Sequence, residues 1–254
     1  MSSTATIHVQ WKVARLCRGL LLMALATTAC GLQTKVESRE RSPGPSAAGP
    51  QQGTNTLPAQ SRDDGREPYL FYLHGRIIEV RGTRPTHERY GVYEYEQILE
   101  TFRRAGFNVL SEARPPETVE REYAAKVVRQ IESLLRAGVA PGRVTVVGAS
   151  KGAIIAMWVS TLLRYRDINF VLMAGCNDAT LRRHDVKLYG NVLSIHEASD
   201  EGLGTCRKFF EQSGGLNRSR EIKLNTGLGH GFIYRPLKEW VGPAAAWAAS
   251  AEQP

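Results

Sequence analysis

A strand-like segment of this chain runs directly into a serine that is flanked by glycines. Residues 143–147 end in four consecutive β-branched residues and lead into Gly148-Ala149-Ser150-Lys151-Gly152, and residues 152–165 then have a helical pattern. A sharp turn from a strand into a helix requires small residues two positions before and after the serine. The backbone N–H groups at the start of the helix would favour an anion formed at the hydroxyl. The pattern predicts a nucleophilic serine, and the alternative is a serine in an ordinary strand–helix turn.

Strand-like and helix-like segments alternate from Pro68 onward. The strand candidates are apolar and often β-branched; they are 69–73, 107–111, 143–147, 170–173, 192–196 and 221–224. The helix candidates are 93–105, 118–137, 152–165 and 236–249. Near-continuous apolar strands separated by helices predict an α/β fold with a mostly parallel central sheet and helices on both faces.

The N-terminal segment has the order of a secretory signal. A basic stretch ends at Arg18, an apolar run of about ten residues follows, and small residues then precede Cys30. The apolar run is too short for a membrane-spanning helix, which needs about 20 residues. The residues before Cys30 resemble the lipobox of bacterial lipoproteins, although Thr27 replaces the usual leucine. We expect a signal peptide over 1–29 and acylation of Cys30; plain secretion and an uncleaved anchor are the alternatives.

The next segment has the composition of a flexible tether. Residues 30–67 contain Pro, Ser, Gly, Gln and charged residues and almost no large apolar side chain that a core could bury. Such a segment does not offset its ordering entropy by burial. We therefore expect three parts: signal peptide (1–29), tether (30–67) and folded domain (68–254). We expect the protein to be exported to the bacterial cell envelope. There the domain would either be held to the membrane by a lipid anchor or be periplasmic or secreted.

The charge and the motifs exclude several classes of function. The formal net charge is +8, and removing 1–29, which holds three basic residues and no acid, leaves 30 basic against 25 acidic residues, or +5. These charges are scattered along the sequence, so they do not indicate nucleic-acid binding. The histidines lack metal-ligand spacing, and there is no phosphate loop or dinucleotide fingerprint. We expect no cofactor and no metal.

The Gly148–Gly152 turn around Ser150, called the elbow below, lies between a strand and a helix. This turn and its setting resemble the α/β-hydrolase family over residues 68–250. That family orders its catalytic triad as nucleophile, acid and histidine. The resemblance implies Asp200, which follows a strand candidate, as the acid, and His230, in a glycine-rich loop before the last helix, as the base. Asp178 is the main alternative acid, followed by Glu201 and Glu197.

The resemblance also implies an oxyanion hole built from backbone N–H groups. One donor would be Lys151, the residue after the nucleophile, and the other would be Gly75 or Arg76, in the His74-Gly75-Arg76 turn after the first strand. A lysine is unusual beside the nucleophile. Its side chain would either favour an anionic substrate or lie in solvent or in an ion pair.

The function implied is a serine hydrolase that cleaves an ester-type acyl bond of a small soluble substrate through an acyl-enzyme. A peptidase or amidase would use the same triad, and a binding lipoprotein without catalysis is a third reading. Only about 15 residues separate the strand near 170–175 from the next one, so we expect a minimal fold with no cap domain.

Two cysteines of the folded domain are candidates for a disulfide. Cys176 and Cys206 are the cysteines left after Cys17 is removed with the signal and Cys30 is acylated. An exported chain meets an oxidising compartment, which favours a bond between them. Two buried free thiols are the alternative.

Overall fold

The computed structural model describes residues 67–250. The expected signal peptide, the Cys30 lipidation site and nearly all of the expected tether lie outside the described residues. The strands, named in chain order, are β1 (Tyr69–Leu73), β2 (Thr86–His87), β3 (Gly91–Val92), β4 (Asn108–Leu110), β5 (Val144–Ala149), β6 (Asn169–Met173), β7 (Tyr189–Glu197) and β8 (Gly215–Leu224). The α-helices are α1 (Arg76–Arg81), α2 (Tyr95–Arg104), α3 (Glu120–Arg136), α4 (Lys151–Leu163), α5 (Asp178–Arg183), α6 (Arg207–Glu211) and α7 (Lys238–Ala249). Two 3₁₀ helices cover Pro141–Arg143 and Gly229–Tyr234.

Six strands form one sheet in the order β4-β1-β5-β6-β7-β8, and every neighbouring pair is parallel. The sheet and its helices confirm the predicted fold class. The short strands β2 and β3 form a separate antiparallel pair.

The sheet is buried on both faces, which explains why its central strands have nearly continuous apolar sequences. Successive β1 side chains alternate between the two faces: Leu70 and Tyr72 belong to one core cluster, and Phe71 and Leu73 to the other. The first cluster includes apolar side chains of α2 and α7, and the second includes those of α3 and α4. Two helical layers therefore enclose the sheet.

The strand order reverses between β1 and β5. The chain passes from β1 outward to the edge strand β4, returns to β5, and then continues through β6 and β7 to the opposite edge. In open parallel sheets, ligands bind at the carboxyl ends of the strands where the order reverses. Ser150 follows β5, and the His74-Gly75 turn follows β1, so both lie at that place.

The structure contains elements that the sequence patterns did not predict. These are the helices α1, α5 and α6 and the β2–β3 pair, each too short for a hydrophobic period to be recognised. The strand predicted at 221–224 begins at Gly215 and has ten residues. Most of its side chains are exposed or half-buried because β8 is an edge strand, and its polar composition hid its length.

Candidate active site

Ser150 lies in a strained turn between β5 and α4. Its backbone has φ 54° and ψ −119°, a conformation that residues with a side chain rarely adopt. Such strain costs about 1–3 kcal/mol and is found mainly at functional sites. The turn is held by the Ser150 N–H, which donates to the Met173 carbonyl oxygen at the end of β6 (2.8 Å).

The glycines that flank the serine are required by close backbone approaches. A Cβ atom built on Gly148 would lie 2.4 Å from the Gly152 carbonyl oxygen. One built on Gly152 would lie 1.8 Å from the carbonyl oxygen of Leu73, at the end of β1. Both distances are far below van der Waals contact, so the elbow needs a residue without a side chain at each position.

Ser150, His230 and Asp200 form a continuous hydrogen-bonded chain. The His230 Nε2 atom is 3.1 Å from the Ser150 Oγ atom, and its Nδ1 atom is 2.7 Å from the Asp200 Oδ2 atom. The Asp200 side chain is 7% exposed and that of His230 is 20% exposed. This arrangement is suited to moving a proton from the serine hydroxyl to a histidine whose tautomer is fixed by a carboxylate.

Asp200 remains a carboxylate despite its burial. Burial alone would raise its pKa, but the hydrogen bond and charge of His230, with the backbone N–H groups of Gly202 and Leu203, outweigh burial and lower the pKa. The alternative acid Asp178 lies elsewhere: it is exposed at the start of α5 and pairs with Lys208 (2.7 Å).

Glu197 is a buried carboxylate that joins the acid loop to the histidine loop. It accepts hydrogen bonds from the N–H and hydroxyl groups of Ser199 and of Thr226 and from the Gly227 N–H. Burial would raise the pKa of Glu197, but these donors outweigh burial and hold the pKa at about 2. Glu197 was an alternative triad acid by its position in the sequence; in the structure its carboxylate bonds to Ser199, Thr226 and Gly227, and His230 pairs with Asp200.

The turn after β1 lies directly beside the nucleophile. A Cβ atom built on Gly75 would be 3.6 Å from the Ser150 Cβ atom. The Gly75 N–H points toward the Tyr93 hydroxyl oxygen at 3.5 Å. Among the described residues, the N–H groups of Arg76 and Lys151 have no acceptor outside their own helices. Of the two alternatives for the second oxyanion donor, Arg76 is therefore the better placed.

The Lys151 side chain lies in an ion pair. Its Nζ atom donates to the Glu79 Oε2 atom (2.6 Å) and to the Thr118 carbonyl oxygen (2.6 Å). The Lys151 side chain is 12% exposed, and that of Glu79 is 1% exposed. Of the two roles that the sequence left open for this lysine, the structure shows the ion pair.

Two open pockets border the reacting atoms of Ser150 and His230. The pocket that includes Ser150, Lys151 and Arg76 has a volume of about 470 Å³. The other includes His230 and Tyr90 and has a volume of about 370 Å³. Polar and charged side chains line much of both pockets. Residues 174–188, between β6 and β7, contain only the short helix α5, so this connection inserts no cap domain.

A disulfide braces the loop that carries the acid. It joins Cys176, after β6, to Cys206, at the start of α6. Two further contacts reinforce the connection: the Gly204 N–H donates to the Cys176 carbonyl oxygen (2.9 Å), and the Asn177 Nδ2 atom donates to the Gly202 carbonyl oxygen (2.8 Å). Asp200 is therefore held on one side by this bridge and on the other by Glu197.

The chain matches no protein-family model and no curated protein. Among solved structures it is similar to Est1E from Butyrivibrio proteoclasticus, with a TM-score of 0.51, 12% identity, and coverage of 75% of this chain and 90% of that one. The chain has the α/β-hydrolase fold. A second similar structure is a single-residue variant of SOBER1 from Arabidopsis thaliana, with a TM-score of 0.49, 13% identity, and coverage of 73% of this chain and 100% of that one. A third is a protein of unknown function from Agrobacterium tumefaciens that was suggested to be an α/β hydrolase, with a TM-score of 0.48, 19% identity, and coverage of 72% of this chain and 84% of that one. At these identities the likeness shows the hydrolase fold alone.

The described part of the chain shows neither a metal-binding cluster nor a membrane-spanning helix. Within residues 67–250, no group of three or more His, Cys, Asp or Glu side chains is placed to hold a metal ion. None of the helices in that range combines the length and apolarity needed to cross a bilayer.

Proposed function

We propose that this protein is a serine hydrolase that cleaves an ester-type acyl bond of a small, water-soluble substrate. The observation that carries the proposal is the hydrogen-bonded chain from Ser150 through His230 to Asp200, at a strained elbow. A strained serine at the switch point of a parallel sheet is expected where a nucleophile must be presented to a substrate.

The reaction follows from the positions of these groups. His230 takes the proton of Ser150 as its Oγ atom attacks the acyl carbon, and Asp200 stabilises the resulting imidazolium. The backbone N–H groups of Lys151 and Arg76 stabilise the oxyanion, each contributing about 3 kcal/mol in the transition state. His230 then protonates the departing alcohol, and an acyl-enzyme remains. Water, activated by the same histidine, releases the acid and restores the serine.

The shape of the cleft supports a small and polar substrate. Because His230 delivers a proton to the leaving group, we assign the alcohol to the pocket beside His230 and Tyr90. The acyl group then occupies the pocket beside Ser150. Both pockets are open and carry charged residues, which suits short acyl chains better than long ones.

The test is covalent labelling followed by a substrate panel. Wild-type protein should react with a fluorophosphonate probe, and Ser150→Ala should abolish labelling without changing the melting temperature by more than a few degrees. Ser160→Ala is the matched control and should label normally, because the Ser160 hydroxyl lies in the same helix but donates to the Tyr189 carbonyl oxygen. A panel of p-nitrophenyl esters and peptide amides then separates an esterase from an amidase. Labelling of Ser150→Ala at the wild-type level would refute the proposal.

We also propose that the protein is exported and anchored to the membrane through Cys30. The order of charges, apolar run and small residues before Cys30 supports this, and the Cys176–Cys206 disulfide fits an oxidising compartment. Metabolic labelling with a radioactive fatty acid should mark the full-length wild-type chain and not Cys30→Ser. Equal labelling of both, or labelling of neither, would refute acylation at this residue.

A further inference from the structure

A single buried carboxylate connects the segments that carry the two proposed oxyanion donors. The Oε2 atom of Glu79, in α1, accepts from Lys151 Nζ, and its Oε1 atom accepts from Arg114 Nε at 2.8 Å. The side chains of Glu79 and Arg114 are each 1% exposed. Glu79 therefore ties α1, which begins at Arg76, to α4, which begins at Lys151.

Arg114 extends this network to the turn after β1. Its guanidinium donates to the His74 carbonyl oxygen, and its backbone N–H donates to the His74 Nε2 atom (2.9 Å). The His74 Nδ1 atom lies 2.8 Å from the Gly75 carbonyl oxygen, so the ring donates there and accepts from Arg114. Burial, followed by the charge of Arg114, lowers the pKa of His74 to about 3, and the imidazole stays neutral. His74 thus braces the turn as a neutral imidazole, with its one ring proton on Nδ1, and takes no part in proton transfer.

The free energy of folding alone gives no reason for a buried network of three charged side chains. Removing charged groups from water is unfavourable, and replacing a buried ion pair by apolar side chains is often neutral or stabilising. One carboxylate between two cations also leaves a net charge of +1 next to the elbow. An oxyanion hole needs donors whose positions are fixed before the charge develops, and it gains from nearby positive charge. The network provides both: it fixes the segments that carry the two donors, and it adds one positive charge beside them.

We infer that Glu79 is a positioning residue for the oxyanion hole, which it organises by holding Lys151 and Arg114. The inference rests on the proposed hydrolase function. It assigns the unusual lysine after the nucleophile to the preorganisation of its own backbone N–H, and not to the recognition of an anionic substrate.

The main test is Lys151→Met, which keeps the backbone N–H and leaves Glu79 paired with Arg114. We expect kcat for p-nitrophenyl butanoate to fall about 10- to 100-fold, as for small displacements of catalytic groups, with KM within twofold. The inhibition constant of a trifluoromethyl ketone, which forms an oxyanion on the serine, should rise by the same factor. Lys126→Met is the matched control, because Lys126 pairs with Glu112 at the surface, and should leave both values unchanged.

A double-mutant cycle tests whether Glu79 acts through the lysine. Glu79→Gln combined with Lys151→Met should lose no more activity than the more damaging single variant. If Glu79→Gln does not fold, Lys151→Met alone decides the question.

Three results would overturn the inference. The first is a kcat for Lys151→Met equal to that of Lys126→Met. The second is a raised KM with an unchanged kcat, which would assign the lysine to substrate binding. The third is full additivity in the cycle. Failure of the proposed function is distinct, because wild-type protein would then neither hydrolyse esters nor react with the fluorophosphonate probe.

Discussion

Removal of the Cys176–Cys206 disulfide should destabilise the domain and loosen its acid loop. The two cysteines are 30 residues apart in sequence and buried. In the chain-entropy model, closing a loop of that length in the unfolded state stabilises the fold by about 3–4 kcal/mol. For a domain of this size, each kcal/mol corresponds to about 2–4 °C in melting temperature, so reduction should lower it by about 10 °C.

The effect on activity follows from the position of the bridge. Cys176 lines one pocket together with residues 200–205, Asp200 among them, and Cys206 directly follows that segment in the chain. Once the bridge is lost, this segment is linked to residues 176 and 177 by the two hydrogen bonds of Gly204 and Asn177, and it keeps its contacts with Glu197 and Glu221. We expect a lower kcat at temperatures well below the melting transition, because the carboxylate orients His230 less firmly.

The assay is thermal unfolding and ester hydrolysis with and without a reductant. Intact mass must first show the gain of two hydrogens in the reduced sample. The double variant Cys176→Ala/Cys206→Ala is the control: it should resemble the reduced protein and not respond to the reductant. An unchanged melting temperature after demonstrated reduction would refute the reasoning, since the loop-closure entropy would then contribute nothing.

Three other predictions concern the triad, its support and the substrate. Asp200→Asn should lower kcat about 10³- to 10⁴-fold because His230 takes the wrong tautomer, whereas Asp178→Asn should leave ester hydrolysis unchanged; reversed losses would contradict the assignment. The pKa of Glu197 is about 2 when folded and about 4.3 when unfolded, so its contribution to stability is present above pH 4.3 and is lost as the pH falls toward 2. It amounts to about 3 kcal/mol, and denaturant unfolding between pH 7 and pH 3 should show a smaller pH dependence for Glu197→Gln; equal slopes would argue against it. Butanoyl esters should be hydrolysed faster than dodecanoyl esters, with no rise in rate above the solubility limit, and the opposite order would show that the open cleft accommodates long chains.

The sequence predicted those parts of the site that depend on local pattern and chain order. The small residues around Ser150 predict a sharp turn. The family's chain order of nucleophile, acid and histidine then indicates Asp200 and His230. The structure brings these three side chains into hydrogen-bond contact.

The supporting network could not be predicted, because its partners are distant in sequence. Glu79 and Lys151 are 72 positions apart, and their pairing depends on how α1 and α4 meet behind the elbow. The role of Glu197 depends on donors in two loops: Ser199 is 2 positions away along the chain, and Gly227 is 30 positions away. Charged side chains are usual on surfaces, so composition gives no reason to place these particular carboxylates inside.

The polar character of β8 has a consequence for the behaviour of the protein at high concentration. An edge strand exposes a row of N–H and C=O groups that a second chain can extend, which leads to aggregation or strand exchange. β8 carries Arg218, Arg220 and Lys223 against a single acid, Glu221. The half-buried Arg218 guanidinium lies over the Trp247 ring at 4.0 Å and donates to the Trp247 carbonyl oxygen, which holds α7 close to the edge. An added copy of the same strand would bring these positive charges together. Charge repulsion therefore disfavours pairing of two copies along the β8 edge. The opposite edge strand, β4, has only three residues with which a second chain could pair.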